Sequence, residues 1–429
     1  MTKTKRIKVN IMTFGCTMNQ AHSEMLAGML VKKGFELVDD ENRADVVIVN
    51  SCAVKLPTEN KILARVQKLV QKKRVIVTGC LAELVPERII KLGASVVSVH
   101  HFDKIPEVIS RVLKGELIDI HGFRYIERVN LPRVIENPLI IPVPIGFGCD
   151  GECAFCADRL IWGKYKSYSL EKIVEDVRRF VKKGAKEIRL TAHDTACYGW
   201  DRGYTLADLL EKLVEIEGDF RIRVGMMSPN AFMKVYEDVL EVIKSTDKIY
   251  HFFHLPVQSG SNQVLKLMKR KHSVEDLIYL VNVIRKYFPD TMLVTDIIVG
   301  FPGETDEDFE LTKKLLLEVK PDRVHISKYG DRPGTLAAKM KPKVRSQIVK
   351  KRSYELTCLA QRIAFEINQK YIGKNVNVLM LESYPDKKGY LGRMQNYKRV
   401  LVFEEVKLGE WISAQVKKVT WRYLIGKVL

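Results

Sequence analysis

Three apolar segments, RIKVNIMTF (6–14), DVVIVNS (45–51) and RVIVTG (74–79), each run almost directly into a cysteine: Cys16, Cys52 and Cys80. Each has the length and β-branched content of a strand. Helical patterns separate them, one from about Asn19 to Lys33 that stops at Gly34, and one over 57–71. A helix near 84–92, a short ASVVSV strand and a helix near 104–113 complete the unit. Strands alternating with helices predict a parallel sheet with helices on both faces. The carboxyl edge of such a sheet is where ligand sites form, and all three cysteines fall on it. Neighbouring strands lie about 4.8 Å apart, so the three thiols can converge on one cluster. Three unrelated core cysteines are the competing reading, because a free cysteine packs well as a small apolar residue.

The stretch 121–138, with Gly122, Pro132 and Pro138, reads as a linker. A second alternating series follows, with strands at IIPVPIGF (140–147), KEIRLT (186–191), RIRVGM (221–226), YHFFHL (250–255), MLVTDIIV (292–299) and RVHISK (323–328). LEKIVEDVRRFVKK (170–183) and LTKKLLLEV (311–319) are helices between them. Six such units predict a partial or complete α/β barrel, with its active site at the strand C-terminal mouth. Just past the first strand stand Cys149, Cys153 and Cys156, spaced C-x3-C-x2-C. Three thiolates bunched in one loop suit a soft metal or an iron–sulfur cluster. Zinc is the alternative, but a closed structural zinc site takes a fourth protein ligand, and no second cysteine pair or close histidine follows. Of the other cysteines, Cys197 reads as packed or incidental and Cys358 as core. His100 and His101 read as solvated or capping residues.

With 46% hydrophobic and 29% charged residues the chain is globular, not disordered. No apolar run reaches the roughly 20 residues that span a bilayer, and MTKTKRIKVNIM lacks a secretory h-region. A cytoplasmic protein without a membrane partner is expected, where thiols serve metals or catalysis rather than disulfides. The net charge of +19 favours a polyanionic partner such as nucleic acid; a merely soluble basic protein is the alternative. Residues 339–370 are basic and helical in pattern. Residues 371–429 read as short strands, NVNVLMLES, KRVLVFEE, WISAQVKKV and WRYLIGKVL, predicting a small antiparallel β-barrel. Here Tyr390, Arg393, Tyr397, Lys398, Arg399, Lys417, Lys418 and Arg422 interleave rings with cations. Cations hold phosphates while rings stack on unpaired bases; a lysine-protected sheet edge is the competing reading.

The C-x3-C-x-aromatic-C loop after a barrel strand resembles the radical S-adenosylmethionine (SAM) superfamily. That resemblance implies that Cys149, Cys153 and Cys156 hold a 4Fe-4S cluster whose open iron chelates the amino and carboxylate groups of SAM. One electron then cleaves SAM to a 5′-deoxyadenosyl radical, and Phe155 packs beside the cluster. Upstream, FGCTMN (14–19), VNSCAV (49–54) and TGCLAE (78–83) resemble the methylthiotransferases. This implies a second 4Fe-4S cluster on Cys16, Cys52 and Cys80 that carries sulfur or a methylthio group.

Further segments are similar to that family in order. LTAHDTACYGWDRG (190–203) implies Asp194 and Thr195 at the barrel mouth near SAM, and RVGMMSPN (223–230) implies Arg223 on the SAM carboxylate. LPVQSGS (255–261) implies Gln258 and Ser259 as polar lining. TDIIVGFPGET (295–305) implies close approach of the cofactor at Gly300, and YGDRPGT (329–335) brings Tyr329 to the loop after the last strand. ADRLIWGKYKSYS (157–169) departs from the basic, small-residue stretch usual after the third cysteine.

The implied layout is a cluster domain over 1–120, a linker over 121–138, a radical SAM barrel with its basic helical extension over 139–370, and a TRAM-like RNA-binding domain over 371–429. In the last, Arg393, Lys398, Arg399, Lys417, Lys418 and Arg422 are the RNA contacts. The layout most resembles the archaeal and eukaryotic branch acting on N6-threonylcarbamoyladenosine. The expected partners are the tRNA anticodon stem-loop and an unidentified electron donor and sulfur source. Isopentenyladenosine tRNA or a ribosomal-protein aspartate as substrate, and a non-catalytic zinc-containing RNA-binding protein, stand as alternatives.

Overall fold

The computed structural model describes residues 6–384, 386 and 388–429. The residues MTKTK, part of the N-terminal stretch read above as lacking a secretory signal, lie outside the described residues.

All six residues of strand Val46–Ser51 are buried, as happens when both faces of a parallel sheet are covered. Its side chains divide by parity. Val47 and Val49 join Val75, Val77 and Val96 on one face; Val46 and Ile48 join Val9, Ile76 and Val97 on the other. The sheet is parallel throughout, in the order Glu36–Leu37, Lys8–Thr13, Val46–Ser51, Arg74–Gly79, Ser95–Val97, Asp119–Ile120. Its two outermost strands are two residues each, too short to leave a period in the sequence. Residues 121–139 then carry neither helix nor strand. Helix Thr17–Lys32 buries Asn19, His22, Ser23 and Glu24 besides its apolar residues. It is wedged between its own sheet and the strands Ile140–Pro144 and Glu187–Thr191 of the next layer, and Glu24 pairs there with buried Arg133.

Those strands begin an open barrel of two parallel triplets. Ile140–Pro144, Glu187–Thr191 and Arg221–Arg223 form one; Phe252–His254, Met292–Val299 and Arg323–Lys328 form the other. Isolated bridges Ile222–Ile249 and Met226–His254 join them. Among the described residues nothing pairs the last strand with the first, so the barrel is the partial form. Along Met292–Val299, Leu293, Ile297 and Val299 pack into the helical layer. Met292 and Val294 turn the other way, towards Tyr250, Phe252 and Tyr397, and Ile298 packs near Ala154 and Phe155 of the cysteine loop. Asp296 lies on this lumen face between the two levels.

Helix Ser346–Gln369 packs on the last barrel strand and leads to a closed five-stranded barrel, Asn375–Tyr384, Gly389–Arg393, Arg399–Val402, Leu424–Val428 and Trp411–Val419. The expectation of a purely antiparallel barrel is corrected at one pair: Arg399–Val402 runs parallel to Leu424–Val428. Strand Gly389–Arg393 was not predicted because glycines weaken the strand pattern. Gly392 is nonetheless required, since a Cβ there would stand 2.4 Å from Val378. The turn Met394–Lys398 enters the floor of the larger barrel. Gln395 accepts from His251 N–H (3.0 Å) and donates to the Ile249 carbonyl (2.8 Å), and the Tyr397 hydroxyl donates to Glu187 (3.1 Å). Among the described residues no helix is long and apolar enough to cross a membrane.

Candidate active site

The loop bearing Cys149, Cys153 and Cys156 is fixed by backbone. Gly148 enters it at φ 79°, where a Cβ would strike the Lys164 carbonyl at 2.1 Å. Ala154 N–H donates to Met268 O (2.9 Å), and Ala154 O accepts from Ala337 N–H (2.8 Å). Each sulfur then receives a donor. Gly151 N–H reaches Cys149 Sγ (3.2 Å), Asp158 N–H reaches Cys156 Sγ (3.5 Å), and the Arg270 guanidinium reaches Cys153 Sγ (3.4 Å). Burial, with the Asp194 carboxylate adding to it, pushes the Cys149 thiol up to about 12; burial likewise raises Cys156. Such thiols stay protonated until a cation takes the proton's place, which suits a metal-ligand set.

The second trio is assembled by the sheet. The register Asn50↔Thr78 and Ser51↔Gly79 levels two strand ends, and Thr13↔Asn50 aligns the third. Cys52 follows its strand, Cys80 opens helix Cys80–Leu84, and Cys16 caps helix Thr17–Lys32. Asn19 ties the edge together, donating to Ser51 O (3.0 Å) and accepting from the Asn50 amide (2.9 Å). Burial raises the Cys52 and Cys80 thiols, with Cys16 acting on Cys52 and both acting on Cys80, while Cys16 itself is exposed at the rim.

Helix Cys80–Leu84 packs on Asp158–Trp162, the helix that follows Cys156. Asp158, two residues beyond Cys156, acts electrostatically on cysteines of both trios, so this helix pair links the two sets. An ion pair between Arg332, in the loop after the last barrel strand, and Glu59 of the first domain (2.5 Å) holds the two layers together there. Three ligands of one tetrahedral zinc stand about 3.8 Å apart, from Zn–S bonds of about 2.3 Å. Among the described residues the sulfurs of neither trio all lie within 4.8 Å of one another.

Other expected site residues divide. Phe155 meets Phe301 edge-on (6.4 Å between centroids), and Phe301 meets Tyr329 (5.4 Å), so all three pack beside the cysteine loop. Gln258, held at φ 78°, is half-buried at the same end. Asp194 and Thr195 are close by but committed to structure. Asp194 accepts from Ala196 and Ser228 N–H (3.2 and 3.1 Å), and Thr195 donates to Met226 O (3.0 Å). Ser259 is buried inside its own turn, accepting from Ser261 N–H (3.2 Å), so it is not lining.

Gly300 is explained differently from the expectation: a Cβ would strike Val349 at 2.3 Å, so the missing side chain admits a helix rather than a cofactor. Arg223 lies on the lumen floor, its guanidinium 4.6 Å from the Phe252 ring centroid, while Arg270 is the guanidinium at the cysteine loop. Arg393 and Lys398 are corrected as RNA contacts. Both are buried, Arg393 on Glu382 and Lys398 on Asp322 (2.5 Å each), the latter joining the two barrels. Arg399 is half-buried, and burial followed by Arg393 and Arg323 lowers it to about 10. Lys417, Lys418 and Arg422 are exposed. His100 is fully buried, contrary to the solvated reading, its ring between the carbonyls of Arg124 and Ile161. Cys358 is exposed rather than core, and Cys197 is buried.

The sequence reading passed over His254, Asp296 and His325. Asp296 accepts from His254 Nε2 (2.8 Å) and His325 Nδ1 (2.9 Å). Burial opposes its charge, but these two hydrogen bonds overcome that and hold the carboxyl well below the usual range. The signal was one acid within the apolar run MLVTDIIV.

Residues 143–316 match the Radical SAM superfamily, and residues 8–100 match Uncharacterized protein family UPF0004. In fold, the chain is similar to a radical SAM methyltransferase, TsrM, from Kitasatospora setae (TM-score 0.56, 14% identity, 78% of this chain and 75% of that one). It is also similar to OxsB, a cobalamin-dependent SAM radical enzyme (TM-score 0.54, 12% identity, 83% and 56%). Residues 143–316 are therefore a radical SAM domain, a family that implies SAM and a 4Fe-4S cluster. Over 99% of its length the chain is 44% identical to all of a Pyrococcus abyssi protein named "probable threonylcarbamoyladenosine tRNA methylthiotransferase". Over 98% it is 35% and 33% identical to proteins of that name, without the qualifier, from Drosophila melanogaster and Xenopus laevis, of which it covers 78% and 77%. The chain belongs to this methylthiotransferase family, and it is an enzyme that transfers a methylthio group.

Proposed function

We propose that the chain installs a methylthio group at carbon 2 of N6-threonylcarbamoyladenosine next to the tRNA anticodon, giving 2-methylthio-N6-threonylcarbamoyladenosine. What supports this is the full-length likeness to relatives that carry that name, together with the packing of helix Cys80–Leu84 on Asp158–Trp162, which links the two thiol trios. Cys149, Cys153 and Cys156 would hold the cluster that binds SAM, and Cys16, Cys52 and Cys80 a second 4Fe-4S cluster. When bound, these groups supply the radical and the sulfur that no side chain can.

The chain's own residues position and exclude. Arg270 and two backbone amides steady the first trio's sulfurs. Phe155, Phe301 and Tyr329 wall the loop from solvent. Asp296 fixes which nitrogen of His254 and His325 carries the proton, leaving His254 Nδ1 and His325 Nε2 for a ligand in the lumen. RNA is held by Arg399, Lys417, Lys418 and Arg422, with Trp421 under the Arg422 guanidinium (4.4 Å) as a stacking surface. The electron donor and sulfur source come from outside, and the tRNA substrate fits a cytoplasmic enzyme.

The test is mass spectrometry of tRNA nucleosides from a strain deleted for this gene. Loss of the methylthio-threonylcarbamoyl nucleoside, with its unthiolated precursor accumulating, is the expected result. An unchanged profile removes the reading.

A further inference from the structure

Arg128, in the segment between the sheet and the open barrel, is 1% exposed. Its guanidinium lies 5.1 Å from the Phe102 ring centroid, 5.7 Å from that of Phe147 and 5.1 Å from that of Trp162. One nitrogen donates to Val99 O (2.7 Å), while Nε and Nη1 are buried without a hydrogen bond, the neutral Tyr168 hydroxyl beside the guanidinium being likewise unpaired. The carboxylate that acts on it, Asp103, is already bonded to Arg124. Rings soften the burial of a cation but do not neutralise it, and an uncompensated buried charge is strongly unfavourable.

The surroundings are unfinished in the same way. Both ring nitrogens of His22, Nδ1 of His193 and Nε1 of Trp162 are buried without partners. The His22 and His193 rings stand 5.8 and 5.0 Å from Trp162. Burial first, and the Arg128 charge after it, keep His22 and His193 below their ordinary value, so neither histidine supplies the cation here. Two acidic groups join this box to the rest of the site: Asp158, which acts on His193, and Cys80, which borders the Trp162 indole N–H and acts on Arg128. As a thiol Cys80 is neutral. Three thiolates around a doubly positive iron–sulfur core are net negative, and that charge is what the box lacks.

We propose that Arg128, held between Phe102, Phe147 and Trp162, is the counter-charge of a cluster on Cys16, Cys52 and Cys80 and raises its reduction potential, with the Trp162 N–H facing the Cys80 sulfur. This rests on the second-cluster reading above. A fixed cation stabilises the reduced, more negative cluster over the oxidised one, and charge and donors near the sulfurs are established levers on such potentials. Arg128 acts through the cluster and is a positioning residue.

The test uses the full chain with Cys149, Cys153 and Cys156 all replaced by Ala, reconstituted anaerobically so that only the second trio can load. Iron and sulfide are counted and the cluster is titrated by electron paramagnetic resonance. Against this background, Arg128→Met is expected to lower the reduced-to-oxidised ratio at a fixed potential about tenfold, about 59 mV for a one-electron couple. Arg128→Lys, which keeps the charge, should stay within about threefold, and Trp162→Phe should shift the ratio less than Arg128→Met in the same direction. Loss of iron in the Met variant but not the Lys variant also supports the assignment. An unchanged potential in a fully loaded Met variant, or equal shifts or equal iron loss in Met and Lys, overturns it and leaves Arg128 a packing residue. If the background variant with Arg128 intact binds no iron, the second-cluster reading fails and this one falls with it.

Discussion

The two cysteine trios reach similar ends by opposite means. Cys149, Cys153 and Cys156 lie within eight consecutive residues and are oriented by their own loop, with donors from Gly151, Asp158 and Arg270. Cys16, Cys52 and Cys80 span 65 residues of chain and meet only because three parallel strands end level. A local trio depends on its turn; a dispersed one depends on the register of a whole sheet. The first therefore survives damage that scatters the second, and the second reports on the integrity of its domain.

That contrast can be broken most sharply at Cys153. Replacement by Ala should cut 5′-deoxyadenosine formation by about a thousandfold or more, about 4 kcal/mol of barrier, measured by chromatography of reduced, SAM-loaded enzyme. Cys52→Ala should do the reverse: SAM cleavage within about threefold of the parent, iron falling from about eight to about four per chain, and no methylthio product. Methylthio product from Cys52→Ala would end the division of labour between the trios. Ile48→Ala, at a fully buried position of the central strand, should destabilise the protein by about 2–5 kcal/mol in denaturant titration. It should deplete iron from the dispersed trio before the local one, which iron counts on trio-deleted backgrounds would separate.

The smallest effect is a pH dependence. In cluster-free protein the folded Cys149 thiol is raised to about 12 from 9.0, so the folded state keeps its proton longer than the unfolded state. Its contribution to stability is complete below pH 9.0 and is lost as pH rises from there towards 12. At about pH 9.5 the parent should have lost slightly under 1 kcal/mol more than Cys149→Ala, read from parallel denaturant curves.

Legibility followed the same divide. The C-x3-C-x2-C loop is written in adjacent letters, and the dispersed trio was readable because each cysteine lies within three residues of a strand end. The lumen set His254–Asp296–His325 was not, since only strand pairing brings residues so far apart in the chain together. Arg393 and Lys398 misled for a related reason. Cations interleaved with rings look alike whether they face phosphate or, as here, pair with carboxylates inside the protein, Arg393 with Glu382 of its own barrel and Lys398 with Asp322 of the neighbouring one. His100 shows the same limit: nothing in VHHF tells a solvated imidazole from one clasped between two backbone carbonyls.

The turn carrying Tyr397 has one more consequence. With its phenol hydrogen-bonded to Glu187 and its ring against Tyr250 and Phe252, it corks the lower end of the larger barrel. A ligand in the lumen is therefore barred from the floor and passes by the rim or by the gap between the last strand and the first.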